Sequence, residues 1–120
     1  MKNLDYYTQV QPIKSKNDVR EEIFEEHEFE NFIGTAKQIE TKREDLQIVA
    51  DNAYAMHLKN RRQEKVDKRD EFKNDLLIYH GVNHHPKGEY CFDLAWDFGH
   101  SEGLHNVQHF FERFVILIKN

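Results

Sequence analysis

The sequence predicts an all-α protein, a small helical bundle of three to five helices with a long central helix or helical hairpin. Three observations favour this class. Glycine and proline are scarce, at five and two in 120 residues. A stretch of 46 residues between Gly34 and Gly81 contains neither. Apolar side chains recur at helical spacing along most of the chain rather than alternating as in a strand.

The N-terminal part predicts an arm followed by a helix. Residues 1–16 contain Pro12 and show little helical periodicity, so we expect an extended arm, with residues 17–120 as a single helical domain. Ser15, followed three residues later by Asp18, is typical of a helix N-terminus. This helix is expected to end near Gly34.

The stretch between the two glycines predicts the central helix. Its first half carries a heptad-like apolar seam. The residues of the seam are Ile39, Leu46, Val49, Ala53 and Met56. The seam fades over residues 59–71, where Val66 is the only apolar side chain, and resumes at Phe72. One helix here would be about 69 Å long. Either its charged middle bends into a hairpin, or the helix projects and forms a homodimer through the seam.

The C-terminal third predicts two more helices and the main core. Gly81 is typical of a helix C-cap. Two apolar faces at helical spacing follow it, namely Cys91, Leu94, Ala95 and Phe98, then Leu104, Val107, Phe111, Phe114 and Ile118. Eight of the 15 aromatic residues lie between Tyr79 and Asn120. The helix pair around Trp96 and Phe111 is therefore expected to hold the core, and residues 115–118 to continue as helix rather than strand.

Composition excludes several classes of function. A net charge of −5 argues against direct nucleic-acid binding, which needs a surplus of positive charge. The longest apolar run, residues 114–118, is far shorter than the roughly 20 residues that span a bilayer. The single cysteine excludes an internal disulfide. The N-terminus lacks the apolar segment of a signal peptide, so we expect a cytoplasmic protein. The usual catalytic motifs are absent, which favours a protein that is not an enzyme.

Charge is segregated along the chain. Residues 17–30 contain seven acids and one base, a net charge of −6, whereas residues 59–73 have a net charge of +3. An acidic helix such as the one predicted over residues 17–30 can occupy a nucleic-acid groove on another protein by placing carboxylates where phosphates would lie. The predicted partner-binding residues are those of this helix and of the exposed arm, Glu21, Glu22, Glu25, Glu26, Tyr6 and Tyr7.

Two plainer interpretations compete with the binding helix. Apolar residues are interleaved with the acids, namely Ile23, Phe24, Phe29 and Phe32, so the segment can be an amphipathic helix whose acidic face is simply solvated. Alternatively, the acidic helix docks against the basic residues 59–73 of the same chain, which would account for both blocks of charge without a partner.

Histidines give a second functional hypothesis. His105 and His109 are four residues apart on a predicted helix, a spacing that lets two imidazoles share a metal ion. His100, Asp97 or His84 would supply a third ligand, and imidazole ligands favour zinc. The alternative is a set of surface or interfacial histidines beside aromatic rings, with no cofactor.

A short glycine-containing segment joins the last two predicted helices. If a helix runs through Gly99 and Gly103, they form a small-residue strip that another backbone can approach; otherwise a new helix begins at Ser101. The pattern Ala95-Trp96, Gly99-His100-Ser101, Gly103 resembles the C-terminal end of small uncharacterised proteins encoded by tailed bacteriophages. The resemblance covers roughly the last 30 residues. It implies a phage-encoded accessory protein acting inside an infected bacterium, with no catalytic residues to transfer.

Together these observations predict a non-enzymatic phage accessory protein without a cofactor. It would bind a bacterial host protein in the cytoplasm of the host cell and modulate it, with inhibition as the expected effect. The alternatives are a histidine-ligated metal-binding protein and a homo-oligomeric helical structural protein.

Overall fold

The computed structural model describes residues 1–119 and contains five α-helices and no strand within that range. They are α1 (Leu4–Thr8), α2 (Lys16–Glu26), α3 (Ala36–Tyr79), α4 (Gly88–Gly99) and α5 (Leu104–Lys119). The predicted all-α class with a long central helix is confirmed. α3 is one continuous helix of 44 residues rather than a hairpin. None of these described helices combines the length and apolar character needed to cross a bilayer.

The predicted end of the central helix at Gly81 is confirmed, and its geometry shows why glycine stands there. Gly81 has a φ of 69°, in the left-handed region that side chains disfavour. Its N–H donates to the Ile78 carbonyl at 3.0 Å, and the Val82 N–H donates to the Leu77 carbonyl at 2.9 Å. This pair of bonds is the Schellman motif, and the buried side chains of Leu77 and Val82 accompany it.

The chain divides into two compact units, and each contains part of α3. The first consists of Met1–Gln9 and the described chain from Lys65 onward, and the second of Val10–Glu64. This division differs from the predicted arm over residues 1–16 and single domain over residues 17–120. It falls within residues 59–71, where Val66 is the only apolar side chain of the sequence and is 48% exposed.

The first unit holds the main core, as the aromatic content predicted. Phe72 and Leu76 of α3 pack in one cluster with apolar residues of α4 and α5. The members from the last two helices are Cys91, Phe92, Ala95, Val107, Phe111 and Val115. Burial raises the pKa of the Cys91 thiol, which makes it a structural rather than a reactive group. In the second unit the buried apolar residues are Val19, Leu46 and Ala50.

α4 ends at Gly99, and the backbone of α5 approaches it closely there. A Cβ at Gly99 would lie 2.9 Å from the Asn106 carbonyl carbon and from the Val107 nitrogen. Another backbone thus approaches Gly99, but the predicted strip of Gly99 and Gly103 does not form, because the helix does not run through to Gly103. A 3₁₀ turn, His100–Glu102, follows α4, and α5 begins at Leu104 rather than at Ser101.

The imidazole of His80 is mostly buried beside Phe111, with 5.5 Å between the two ring centroids. Its Nε2 atom has no hydrogen-bond partner within the described chain and lies 3.8 Å from the Glu112 carboxylate. Burial lowers the pKa of His80 below its ordinary value of 6.5 and outweighs the opposite effect of Glu112. The folded protein therefore holds this histidine in its neutral form at neutral pH.

Acidification is expected to destabilise the first unit through His80. As the pH falls below about 6.5, the imidazole becomes protonated in the unfolded chain at a higher pH than in the folded chain. Protonation therefore favours the unfolded chain, and the free energy of unfolding decreases as the pH drops. His80→Gln, which does not titrate, is expected to lose less stability. Urea denaturation at about pH 7.5 and about pH 5.5 measures the free energy of unfolding of the wild type and of the variant. The other histidines are present in both proteins and contribute equally to both. An equal loss in both chains would contradict the assignment.

Candidate functional site

α2 exposes its glutamates and partly or fully buries its apolar residues. Ser15 caps the helix as predicted, because its hydroxyl oxygen accepts a hydrogen bond from the Asp18 N–H at 3.1 Å. Val19 is buried and Ile23 is half-buried. The four predicted glutamates, Glu21, Glu22, Glu25 and Glu26, are all exposed. The segment is thus an amphipathic helix, and we call these four residues the acidic face.

Polar contacts fasten α2 and the segment before it to α3. The Lys14 N–H donates to His57 Nε2 at 2.9 Å, and Arg20 Nε donates to the Gln47 side-chain oxygen at 2.8 Å. As the chain advances from Lys14 to Arg20, its partners on α3 move back toward the N-terminus of that helix. The two segments are therefore antiparallel, and these contacts hold the acidic face on the side of α2 that is turned to solvent.

The acidic face is barely neutralised by its own chain. Lys14 Nζ lies 2.8 Å from the Glu22 carboxylate, and the Asn17 amide donates to Glu21 at 3.1 Å. Glu25 and Glu26 have no ion pair among the residues that the structure describes. The surface therefore carries a concentrated negative charge that a basic partner could neutralise.

The described ion pairs formed by the bases of residues 59–73 join them to α3 itself and to α4, and the hypothesis that α2 docks against residues 59–73 stays a prediction. Arg61 pairs with Glu64 one turn further along α3 at 3.3 Å, and Arg69 lies 3.4 Å from Asp93 of α4. The ion pair between α2 and α3 instead uses Lys16 as the cation and Asp51 as the acid, at 3.9 Å. Among the described ion pairs of the second unit, none joins a carboxylate of α2 to residues 59–64.

A cavity of about 390 Å³ opens at the C-terminal end of α2. The residues that line it are Arg20, Glu21, Phe24, Glu25, Phe29 and Glu30. Glu28 follows the helix with a φ of 52°, and this left-handed residue turns the chain back so that the rings of Phe24 and Phe29 lie 5.1 Å apart. The sequence identified the two phenylalanines only as apolar residues among acids, because the turn at Glu28 has no glycine to reveal it.

The chemistry of this cavity suits a cation. Aromatic faces attract cationic groups, and the Arg20 guanidinium already lies 4.7 Å from the centre of the Phe24 ring. Carboxylates at the same rim accept charge-assisted hydrogen bonds from lysine or arginine. The cavity and the acidic face share Glu21 and Glu25, so a single basic surface can contact both.

The two tyrosines predicted on an exposed arm lie elsewhere, and the extended conformation is wrong for residues 4–8, which form α1. Tyr7 is only 4% exposed, its ring lies 4.9 Å from that of Phe72, and its hydroxyl donates to the Asp75 carboxylate. Burial, helped by this bond, raises the pKa of Tyr7 to about 12. Tyr6 is half-buried and donates to Glu71 at 2.9 Å. Burial of the rings against α3 explains why this segment does not stay extended.

The predicted zinc ligands do not come together. His105 and His109 are exposed on α5, whereas His100 stacks on Trp96 with its Nδ1 atom 2.6 Å from the Trp96 carbonyl oxygen. Within residues 1–119 no three side chains of histidine, cysteine, aspartate or glutamate are arranged to hold a metal ion. The candidate third ligands His84 and Asp97 are likewise outside any such group.

The apolar seam of α3 is not a continuous exposed stripe. Leu46 is 3% exposed and belongs to the interior of the second unit, and Ala53 is half-buried. Ile39, Val49 and Met56 remain exposed, at 39%, 42% and 54%. The sequence could not reveal this, because α2 and the segment before it cover part of the seam. A homodimer through the whole seam stays a prediction that would need Leu46 to be uncovered.

Comparison with known proteins assigns the chain to a family. The model of DUF8546, a family of unknown function, matches residues 2–119. The chain belongs to this family. The DUF8546 match includes α2 with its acidic face as well as the C-terminal helices. Neither a curated protein nor a solved structure matches the chain. The family description names no activity.

Proposed function

We propose that this DUF8546 protein is a non-enzymatic accessory protein that binds a bacterial host protein through the acidic face of α2 and inhibits it. The observation that carries the proposal is the exposure of Glu21, Glu22, Glu25 and Glu26 on a short helix, where Lys14 is the one cation within residues 1–119 that forms an ion pair with them. A surface of this kind attracts a basic surface and speeds its encounter. The phage origin and the location in the host cytoplasm rest on the sequence resemblance.

The mode of binding follows from the two parts of the site. The acidic face would align with lysines and arginines of the partner, and one cationic side chain would enter the cavity that Phe24 and Phe29 help to line. Basic surfaces of this type often bind phosphates. Carboxylates of α2 would then occupy the place of phosphates and block the surface sterically and electrostatically, without a cofactor.

The test compares two variants with the same change in charge. The full-length protein is immobilised, a host protein is captured from bacterial lysate, and its affinity is then measured with purified components. Glu25→Lys/Glu26→Lys is expected to weaken binding by about tenfold or more. Glu40→Lys/Glu44→Lys, at exposed acids of α3, is the control and is expected to bind as the wild type does. Added salt should weaken the wild-type complex.

Three results would contradict the proposal. Equal binding by the α2 variant and the wild type would exclude the acidic face as the contact. A captured partner that keeps its full activity when saturated with this protein would exclude inhibition. Turnover of a substrate by the purified protein would exclude a purely binding role.

A further inference from the structure

An apolar ridge is exposed on the first unit where α4 meets α5. The Phe98 ring centroid lies 6.0 Å from that of Phe110 and 6.2 Å from that of Phe114, and the latter two rings stack at 6.2 Å. Leu117, one turn beyond Phe114 on the same side of α5, is 74% exposed, and Phe98 is 61% exposed. We call these four residues the aromatic ridge.

The core accounts for only part of this ridge: Phe110 and Phe114 are half-buried against it, whereas Phe98 and Leu117 are exposed. α5 contributes Val107, Phe111 and Val115 to the core from a neighbouring face, where each is at most 3% exposed. Single exposed apolar residues are common on protein surfaces. A contiguous group of stacked rings and a leucine is a different feature, because such patches mark sites where another molecule binds.

Opposite charges flank the ridge. Asp97 adjoins Phe98 on α4, and Arg113 adjoins Phe114 on α5, and both are exposed. At about 100° per residue each lies on the side of its helix away from the core. Neither has an ion pair among residues 1–119. The ridge therefore has an acid along its α4 edge and a base along its α5 edge.

We propose that the aromatic ridge binds a second copy of this chain in a two-fold symmetric dimer. In this dimer α4 of one protomer packs on α5 of its partner, and Asp97 pairs with Arg113 of the partner subunit. A two-fold interface requires a patch that is complementary to itself. The acidic and basic edges satisfy this requirement, because the symmetry generates two ion pairs around one apolar centre. A partner surface that is purely acidic or purely basic could form an ion pair with only one of the two edges.

The oligomeric state of the full-length protein tests the proposal. Native mass spectrometry and sedimentation equilibrium are expected to give a dimer for the wild type, and Phe98→Glu is expected to raise the dissociation constant by about tenfold or more. Ile48→Glu replaces an equally exposed apolar residue of α3 and is expected to remain dimeric. A monomeric wild type at every concentration overturns the proposal, and so does a dimer that survives Phe98→Glu.

A charge exchange tests the symmetric pairing itself. Asp97→Arg and Arg113→Asp should each weaken the dimer, because each places like charges opposite one another. The double variant recreates both ion pairs with their signs reversed and is expected to restore dimerisation. Both positions are exposed, so circular dichroism should show an unchanged helical content. A double variant as weak as the single ones would overturn the two-fold arrangement.

Discussion

Replacing Phe72 by alanine is expected to lower the free energy of unfolding of the first unit by about 3–5 kcal/mol. Phe72 is fully buried, and its ring centroid lies 4.9 Å from that of Tyr7 and 6.0 Å from that of Phe92. The substitution removes the ring that joins the N-terminal segment to α4, and the helices around it cannot close the cavity without losing other contacts. A loss of this size is a large part of the stability of a small domain.

Urea denaturation followed by tryptophan fluorescence measures this loss. Trp96 is the only tryptophan of the sequence and packs against the same core, so its signal reports on the first unit. Tyr90→Ala is the matched control, because Tyr90 is 62% exposed and its loss should change stability by no more than about 0.5 kcal/mol. Similar effects of the two substitutions would contradict the described core.

Gly88→Ala is expected to cost about 1–3 kcal/mol or more, although alanine normally favours a helix. Gly88 is buried at the start of α4, and a Cβ there would lie 2.3 Å from the Val82 carbonyl oxygen and 3.2 Å from a methyl of Leu77. The first contact is with backbone, so the loop before α4 has to move. That movement would disturb the Schellman motif, since its last N–H belongs to Val82.

Comparing the thermal unfolding of Gly88→Ala with that of Gly34→Ala separates the effect of steric conflict from that of helix propensity. At Gly34 an added Cβ meets chiefly the side chain of Gln38 and no backbone atom, so relief costs at most the exposed hydrogen bond from the Thr35 N–H to the Gln38 side-chain oxygen. Gly34→Ala is therefore expected to change the melting temperature far less than Gly88→Ala. If Gly88→Ala raised the melting temperature, the close approach of the loop to α4 would be wrong.

The local features of this fold could be predicted from the sequence, because each depends on residues close together in the chain. The cap at Ser15 and the glycine at the end of α3 lie within one turn of the helices that they terminate. α2 nevertheless ends at Glu26 rather than near Gly34, since Glu28 adopts a left-handed conformation without being glycine. No residue type at that position signals the turn.

The features that were missed depend on contacts between distant parts of the chain. Tyr7 looks like an exposed aromatic until Asp75 and Phe72 are brought to it, and Leu46 looks like a dimer contact until the chain before residue 30 covers it. For the candidate site, the exposure of the four glutamates followed from their spacing alone. The cavity beside them did not, because it depends on the turn that returns Phe29 to Phe24.

The attachment of the N-terminal segment to α3 also constrains the order of folding. Lys2 and Tyr6 bond to Glu71, and Tyr7 bonds to Asp75, across separations of 65 to 69 residues. Closing loops of this length is slow compared with forming the contacts between α4 and α5. On the ribosome, the first nine residues emerge well before their partners exist. The ring of Tyr7 therefore has no packing partner until most of α3 has been synthesised, and its docking is expected to be a late event in folding.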